Sequence, residues 1–199
     1  MSIACLLPAA GASSRMRGGD KLLEEVDGKP CLETMAERAL AAGLQVIATL
    51  PSLDHPRADA IKHLPLRIVF VPDAALGMSR SLVAGVQAMP PDTQGLMILP
   101  PDMPEITRND IAEMVQRFEA EKPLILRART ASGKLGHPII FSKKLTGEFA
   151  ALSGDKGAQS IVRRHKEFAE FVDFDDERPL LDLDTPEAWA DWRASLGRE

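Results

Sequence analysis

Short apolar runs alternate with amphipathic stretches along the chain, and the two periodicities predict two kinds of element. Residues 3–7, 45–50, 67–71, 95–99, 123–128, 138–141 and 168–174 read as strands. Several of them, such as Ile3-Ala4-Cys5-Leu6-Leu7, are apolar at every position, the pattern of strands covered on both faces in a mostly parallel sheet. Between them, residues 31–42 place Leu32, Met35, Ala36, Ala39 and Leu40 on one helical face, begin after Pro30 and stop at Gly43. Thr107 followed by Asp110 has the form of a capping box for a helix through about Glu121. Thr185-Pro186 supplies an N-cap and first-turn proline for a terminal helix through Leu196. Residues 56–64, 79–89, 143–152 and 156–165 complete the helices. With no repeat or low-complexity linker, this alternation predicts a single α/β domain over residues 1–199, Rossmann-like, with three layers and a mostly parallel sheet.

Composition narrows the class. The 24 Lys and Arg against 29 Asp and Glu, without a basic stripe, lack the electrostatic footprint of a nucleic-acid binder and point to a small-molecule partner. No run approaches the roughly 20 apolar residues that span a bilayer, and the N-terminus lacks the basic region of a signal peptide, so a cytoplasmic protein without membrane association is expected. Cys5 and Cys31 form no C-x-x-C pair and have no His beside them, which suggests neither disulfide nor zinc. His55, His63 and His165 lack metal-ligand spacing and read as structural, and no Gly-x-Ser-x-Gly elbow supports serine chemistry.

The chemistry concentrates after the first strand. Ala9, Ala10, Gly11, Ala12 and Ser13 are small enough for the backbone to turn sharply and offer its N–H groups to phosphate oxygens. Two permanent cations follow. Arg15 can fork onto two oxygens, while Lys21 is a compact charge suited to a phosphoryl transition state. A single Gly11 excludes G-x-G-x-x-G, and Leu22 after Lys21 excludes the Walker loop. The strand Gly95 to Leu99 runs into Pro100-Pro101-Asp102, which places a carboxylate at the sheet edge where an α/β fold gathers ligands. Magnesium needs one or two carboxylates besides phosphate oxygens and water, so Asp102 with Asp182 or Asp184 would suffice. A turn-forming or half-exposed strand Asp is the plain alternative for each. On the acceptor side, His137 could meet a phosphate or carbonyl, or fix its loop by a hydrogen bond. Ser153 to Ala158, with Asp155 and Lys156, could open a helix whose N–H groups receive an anion, or simply cap it.

The run Pro-Ala-Ala-Gly-Ala-Ser-Ser-Arg-Met with Asp20-Lys21-Leu22-Leu23 resembles the signature of the MobA/MocA-like nucleotidyltransferases, especially the molybdenum cofactor cytidylyltransferases. Gly77-Met78-Ser79-Arg80-Ser81-Leu82, Pro101-Asp102-Met103-Pro104, Gly136-His137-Pro138, Ser153 to Ala158 and Leu181 to Pro186 extend the resemblance over nearly the whole chain. It implies a nucleotide-diphospho-sugar transferase-like fold and transfer of a nucleoside monophosphate to a phosphorylated acceptor, with release of pyrophosphate. By the same resemblance Lys21 would contact the α-phosphate, Arg15 the β- and γ-phosphates, Asp102 the Mg²⁺, and Gly77, Met78, Ser79 and Ser81 the base and ribose. Ala10, where guanylyltransferase relatives carry glycine, implies CTP rather than GTP, because its methyl would crowd a larger purine. The acceptor would be molybdopterin carrying molybdenum, and the product a cofactor for a molybdenum hydroxylase apoenzyme. Pro101 and Arg17 both stand where relatives carry glycine. Another nucleotide or acceptor, or a non-catalytic molybdenum-cofactor carrier, are the alternatives.

Overall fold

The computed structural model describes residues 2–197. Its main sheet contains β1 (Ser2–Pro8), β4 (Gln45–Leu50), β5 (Arg67–Phe70), β6 (Thr93–Ile98), β7 (Ile125–Arg129), β8 (Leu135–Ser142) and β9 (Ala169–Asp173), in the order β5-β4-β1-β6-β8-β7-β9. All seven lie where the apolar runs predict strands. Pairing is parallel except where β8 runs antiparallel to both β6 and β7. A two-stranded hairpin, β2 (Glu25–Val26) and β3 (Lys29–Pro30), is the addition. Its turn, Asp27-Gly28, holds both residues at positive φ (54° and 82°), the conformation that Asp-Gly favours in two-residue hairpins.

The period of two along β1 divides the interior into two cores. Ile3, Cys5 and Leu7 face one, and Ala4 and Leu6 the other. The first is covered by α1 (Cys31–Ala41), α2 (Pro56–Ile61), α4 (Arg108–Glu121) and α6 (Pro186–Ser195). The second is covered by α3 (Met78–Gln87), a 3₁₀ run over Lys143–Ala151 and α5 (Gln159–Arg164). The result is a three-layer α/β arrangement. Thr107 and Asp110 form the expected reciprocal cap of α4, with Asp110 Oδ2 accepting from the Thr107 amide at 2.7 Å. Thr185 caps α6 as expected. Residues 143–151 adopt 3₁₀ rather than α geometry, and α5 starts only at Gln159. Two left-handed glycines, Gly154 (φ 66°) and Gly157 (φ 54°), keep the preceding segment out of the helix. Among the described residues no helix is long and apolar enough to cross a membrane.

Strand order reverses at β1, whose successor β4 lies on one side while β6 lies on the other. That switch point opens a crevice at the carboxyl ends of β1 and β6, where open α/β sheets bind ligands.

Candidate active site

Residues from both sides of the switch point line a cleft of about 700 Å³. The loop after β1 contributes Gly11, Ala12, Ser13, Arg15 and Lys21; the turn after β6 contributes Pro101 and Asp102. A Cβ placed on Gly11 would meet nothing within 4 Å, so that backbone faces open space. Ala9 and Ala10 are buried instead, 0% and 4% exposed, and their methyls do not line the cleft. Any influence of Ala10 on base size must therefore pass through the backbone.

Lys21 is the electrostatic centre. Its ammonium hydrogen-bonds Asp102 Oδ2 and, at 2.6 Å, Asp184 Oδ1. Burial opposes its charge, but the two carboxylates outweigh that effect and push its pKa up. Arg15, largely exposed, reaches Asp184 Oδ2 at 2.6 Å. The two acidic segments converge for a backbone reason: the Leu183 amide donates to the Asp102 carbonyl at 3.0 Å. Trp189 of α6, fully buried, then fixes the segment by donating its indole N–H to the Leu183 carbonyl at 3.0 Å. Carboxylate oxygens of Asp102, Asp182 and Asp184 consequently lie within 4.8 Å of one another. Burial, with Asp184 and Asp102 nearby, raises the Asp182 pKa; at Asp184 burial acts the same way but is overcome by Lys21 and Arg15, so its pKa falls. Asp102 Oδ1 is buried without a hydrogen-bond partner. An orphaned carboxylate oxygen beside two further acids fits a hard divalent cation.

On the opposite wall, Gly77, Met78 and Ser81 line the cleft, whereas Ser79 is buried and donates its amide to the Gly154 carbonyl at 3.1 Å. Gly77 has φ 120°, and a Cβ there would lie 2.6 Å from the Gly154 carbonyl carbon, so only glycine fits. Asp155 Oδ1 accepts from the Met78 amide at 3.3 Å, tying its loop to this wall. The expected anion site at the start of a helix over Ser153 to Ala158 is not formed, because the two left-handed glycines displace the helix start; Lys156 is exposed and outside the cleft lining. His137 does line the cleft.

Sequence reasoning missed Arg57, the first turn of α2. It is 1% exposed, and its guanidinium makes five hydrogen bonds to the loop. Nε and Nη2 fork onto Asp20 at 2.7 Å each; Nη1 reaches the carbonyls of Ala9 and Gly11 at 2.6 and 2.7 Å; Nη2 also donates to Ser13 Oγ at 2.8 Å. Nothing in Pro56-Arg57-Ala58-Asp59 distinguishes this residue from a solvated helical arginine. His55, read as structural, accepts from the Arg57 amide at 3.3 Å and caps α2.

The departures from the family pattern also acquire places. Arg17 has φ 53°, a conformation glycine adopts freely, and it pairs with Glu187 at 2.6 Å rather than facing the cleft. The Pro101 carbonyl accepts from the buried Cys31 thiol at 3.0 Å. Burial pushes the pKa of both Cys5 and Cys31 up, in keeping with unreactive thiols.

Comparison with known proteins agrees with this geometry. The sequence matches the MobA-like NTP transferase domain over residues 5–168. A protein named nicotine blue oxidoreductase, from Paenarthrobacter nicotinovorans, is 27% identical over 195 residues, covering 92% of each chain. The crystal structure of Rv0371c from Mycobacterium tuberculosis H37Rv superposes with a TM-score of 0.82 at 28% identity, covering 99% of this chain and 98% of that one. Rv0371c in complex with manganese gives 0.82 at 26% identity, covering 98% and 100%.

Proposed function

The chain belongs to the MobA-like NTP transferase family, and from that premise we propose that it transfers CMP from CTP to a molybdopterin-type acceptor and releases pyrophosphate. The observation that carries the reading is Lys21 held between Asp102 and Asp184 at the carboxyl ends of β1 and β6. CTP is favoured over GTP by the Ala9-Ala10-Gly11 form of the loop.

In this reading the loop amides from Gly11 to Ser13 receive phosphate oxygens, Arg15 meets the β- and γ-phosphates, and Lys21 neutralises charge growing on the α-phosphate. An acceptor phosphate is already a nucleophile at neutral pH. Its oxygen attacks the α-phosphorus while the bond to the pyrophosphate oxygen breaks, so the enzyme supplies alignment rather than a general base. Asp102 and Asp184, with Asp182 beside them, would hold Mg²⁺, as the orphaned Asp102 oxygen invites. The cation would neutralise phosphate charge and orient the leaving group. The manganese complex of Rv0371c supports divalent metal use in this fold. Gly77, Met78 and Ser81 form the wall for base and ribose, and the product would serve a molybdenum hydroxylase apoenzyme.

The name of the Paenarthrobacter relative motivates a second reading, a redox reaction on the same scaffold. The absence of G-x-G-x-x-G from the loop and the three-carboxylate cluster both favour the transferase. The test is pyrophosphate release with molybdenum-loaded molybdopterin, each NTP and Mg²⁺, run beside oxidation of NADH and NADPH. Release with CTP, abolished in Asp102→Asn, is expected. Release undiminished in that variant, or nicotinamide oxidation without release from any NTP, overturns the reading.

A further inference from the structure

Directly opposed residues form a row across the sheet: Leu6 beside Ile98, Ile98 beside Ile139, Ile139 beside Arg127, and Arg127 beside Phe171. Opposed side chains share a face. Ile98 lines the cleft, so Arg127, though not itself a lining residue, lies on the same face of the sheet, two strands further on and roughly 10 Å away at ordinary strand spacing.

Among four hydrophobic residues, this guanidinium is out of place. Its Nε is buried without a hydrogen-bond partner, and no carboxylate among the described residues pairs with it. Arg57, Arg129 and Arg178 each have an acidic partner. A half-buried cation without one is costly to the folded state unless an anion arrives. Next to it, β8 carries four residue steps, from Leu135 to Ile139, against two on β7, from Arg129 to Arg127. His137 sits in this bulge, lines the cleft, and leaves Nδ1 buried and unpartnered. Burial, then the charge of Arg127, holds its pKa down at about 4, so at neutral pH the imidazole is uncharged and one ring nitrogen can donate.

We propose that Arg127 and His137 form an oxyanion subsite beside the cleft, with His137 at the cleft wall and Arg127 behind it on the same sheet face. The guanidinium would fork onto two oxygens, and the imidazole would donate to the same group. Naming the occupant rests on the transferase reading: it is an oxyanionic group of the acceptor, remote from the phosphate that attacks. Arg127 thereby selects acceptors carrying two separated anionic groups.

Inorganic phosphate is the probe, titrated into nucleotide-free protein while the imidazole nitrogens of His137 and Nε of Arg127 are followed by ¹⁵N NMR. Saturable shifts of both are expected in the wild type and in Lys21→Met, whose loop site is impaired. Arg127→Gln should weaken the response at His137 by about tenfold or more, the usual scale for a charge-assisted bond, with Arg127→Lys between. No perturbation of His137 in the wild type overturns the proposal, and so does equal affinity in a folded Arg127→Gln. Thermal stabilisation by CTP with Mg²⁺ reports separately on the transferase reading: if it is absent while phosphate still shifts His137, that reading fails and the subsite stands.

Discussion

Asp20 and Lys21 are neighbours in sequence, yet their side chains enter two opposite kinds of electrostatic environment. Asp20 turns to Arg57, where one guanidinium forks onto one carboxylate and its remaining donors reach two carbonyls and a hydroxyl. Lys21 turns to the cleft, where three carboxylates share two cations and Asp102 Oδ1 has no partner. The first network is closed: all five N–H donors of the Arg57 guanidinium have an acceptor within the loop. The second is open, with surplus negative charge and an exposed Arg15 at its rim. The same loop is thus clamped on one side and held ready for ligand on the other. Charge count and burial together tell the two apart where residue type alone does not.

The largest effect should follow from breaking the closed side. Arg57→Ala strands Asp20, and removal of one member of a buried pair typically costs about 3–5 kcal/mol. Denaturant unfolding should show a loss of that size, together with loss of nucleotide binding as Ala9, Gly11 and Ser13 lose their common tether. Arg57→Lys should recover only part, because an ammonium cannot reproduce the planar fork. A loss below about 1 kcal/mol would mean that the loop holds its shape without the clamp.

Breaking the open side should show the reverse balance. Asp184→Asn should lower turnover by about 10²-fold, the scale of removing one electrostatic contact to a reacting group, while stability in metal-free buffer changes by no more than about 1 kcal/mol. The wild-type melting temperature should climb with added Mg²⁺ or Mn²⁺, since a ligand that binds only the native state stabilises it by mass action. The variant should show little of that rise. If metal stabilises both equally, Asp184 is not a ligand.

The two sides also differed in how far the sequence revealed them. The open side carries its chemistry in motifs with small residues, cations and strand-end acids at readable spacings, so Arg15, Lys21, Asp102 and Asp184 could be named in advance and are found together. All seven strands of the main sheet were legible because burial on both faces imposes continuous apolar runs. The closed side was not legible, because its key residue lies 37 positions beyond Asp20 in an unremarkable helical turn. Its burial is a product of tertiary packing. Likewise, β8 reads as an apolar strand whatever its direction, and only the connection through β7 makes it antiparallel. The helix expected from residue 156 begins only at Gln159, because Gly154 and Gly157 adopt positive φ and fit a loop rather than a helix start.

The smallest effect sharpens the comparison through pH. Burial of Asp20 opposes its ionisation, but hydrogen bonds and charge from Arg57, the Leu22 amide and Ser13 outweigh it and hold its pKa below the ordinary carboxylate value. A depressed folded pKa contributes stability that is fully present above the unfolded value, about 3.9, and is lost as pH falls through the folded one. The clamp should therefore be intact from neutral pH to about 5 and weaken below about 4. Asp20→Asn should be less stable than the wild type at pH 7, and urea unfolding across pH should show the two curves converging toward pH 3, since the variant has no carboxylate to protonate there. Curves that stay parallel would place the acid sensitivity elsewhere and leave the closed network without its charge component. Because Asp20 is 18% exposed at its side chain, solvent screens part of the pair, and the convergence should be smaller than the loss in Arg57→Ala, which removes the cation and every bond it makes.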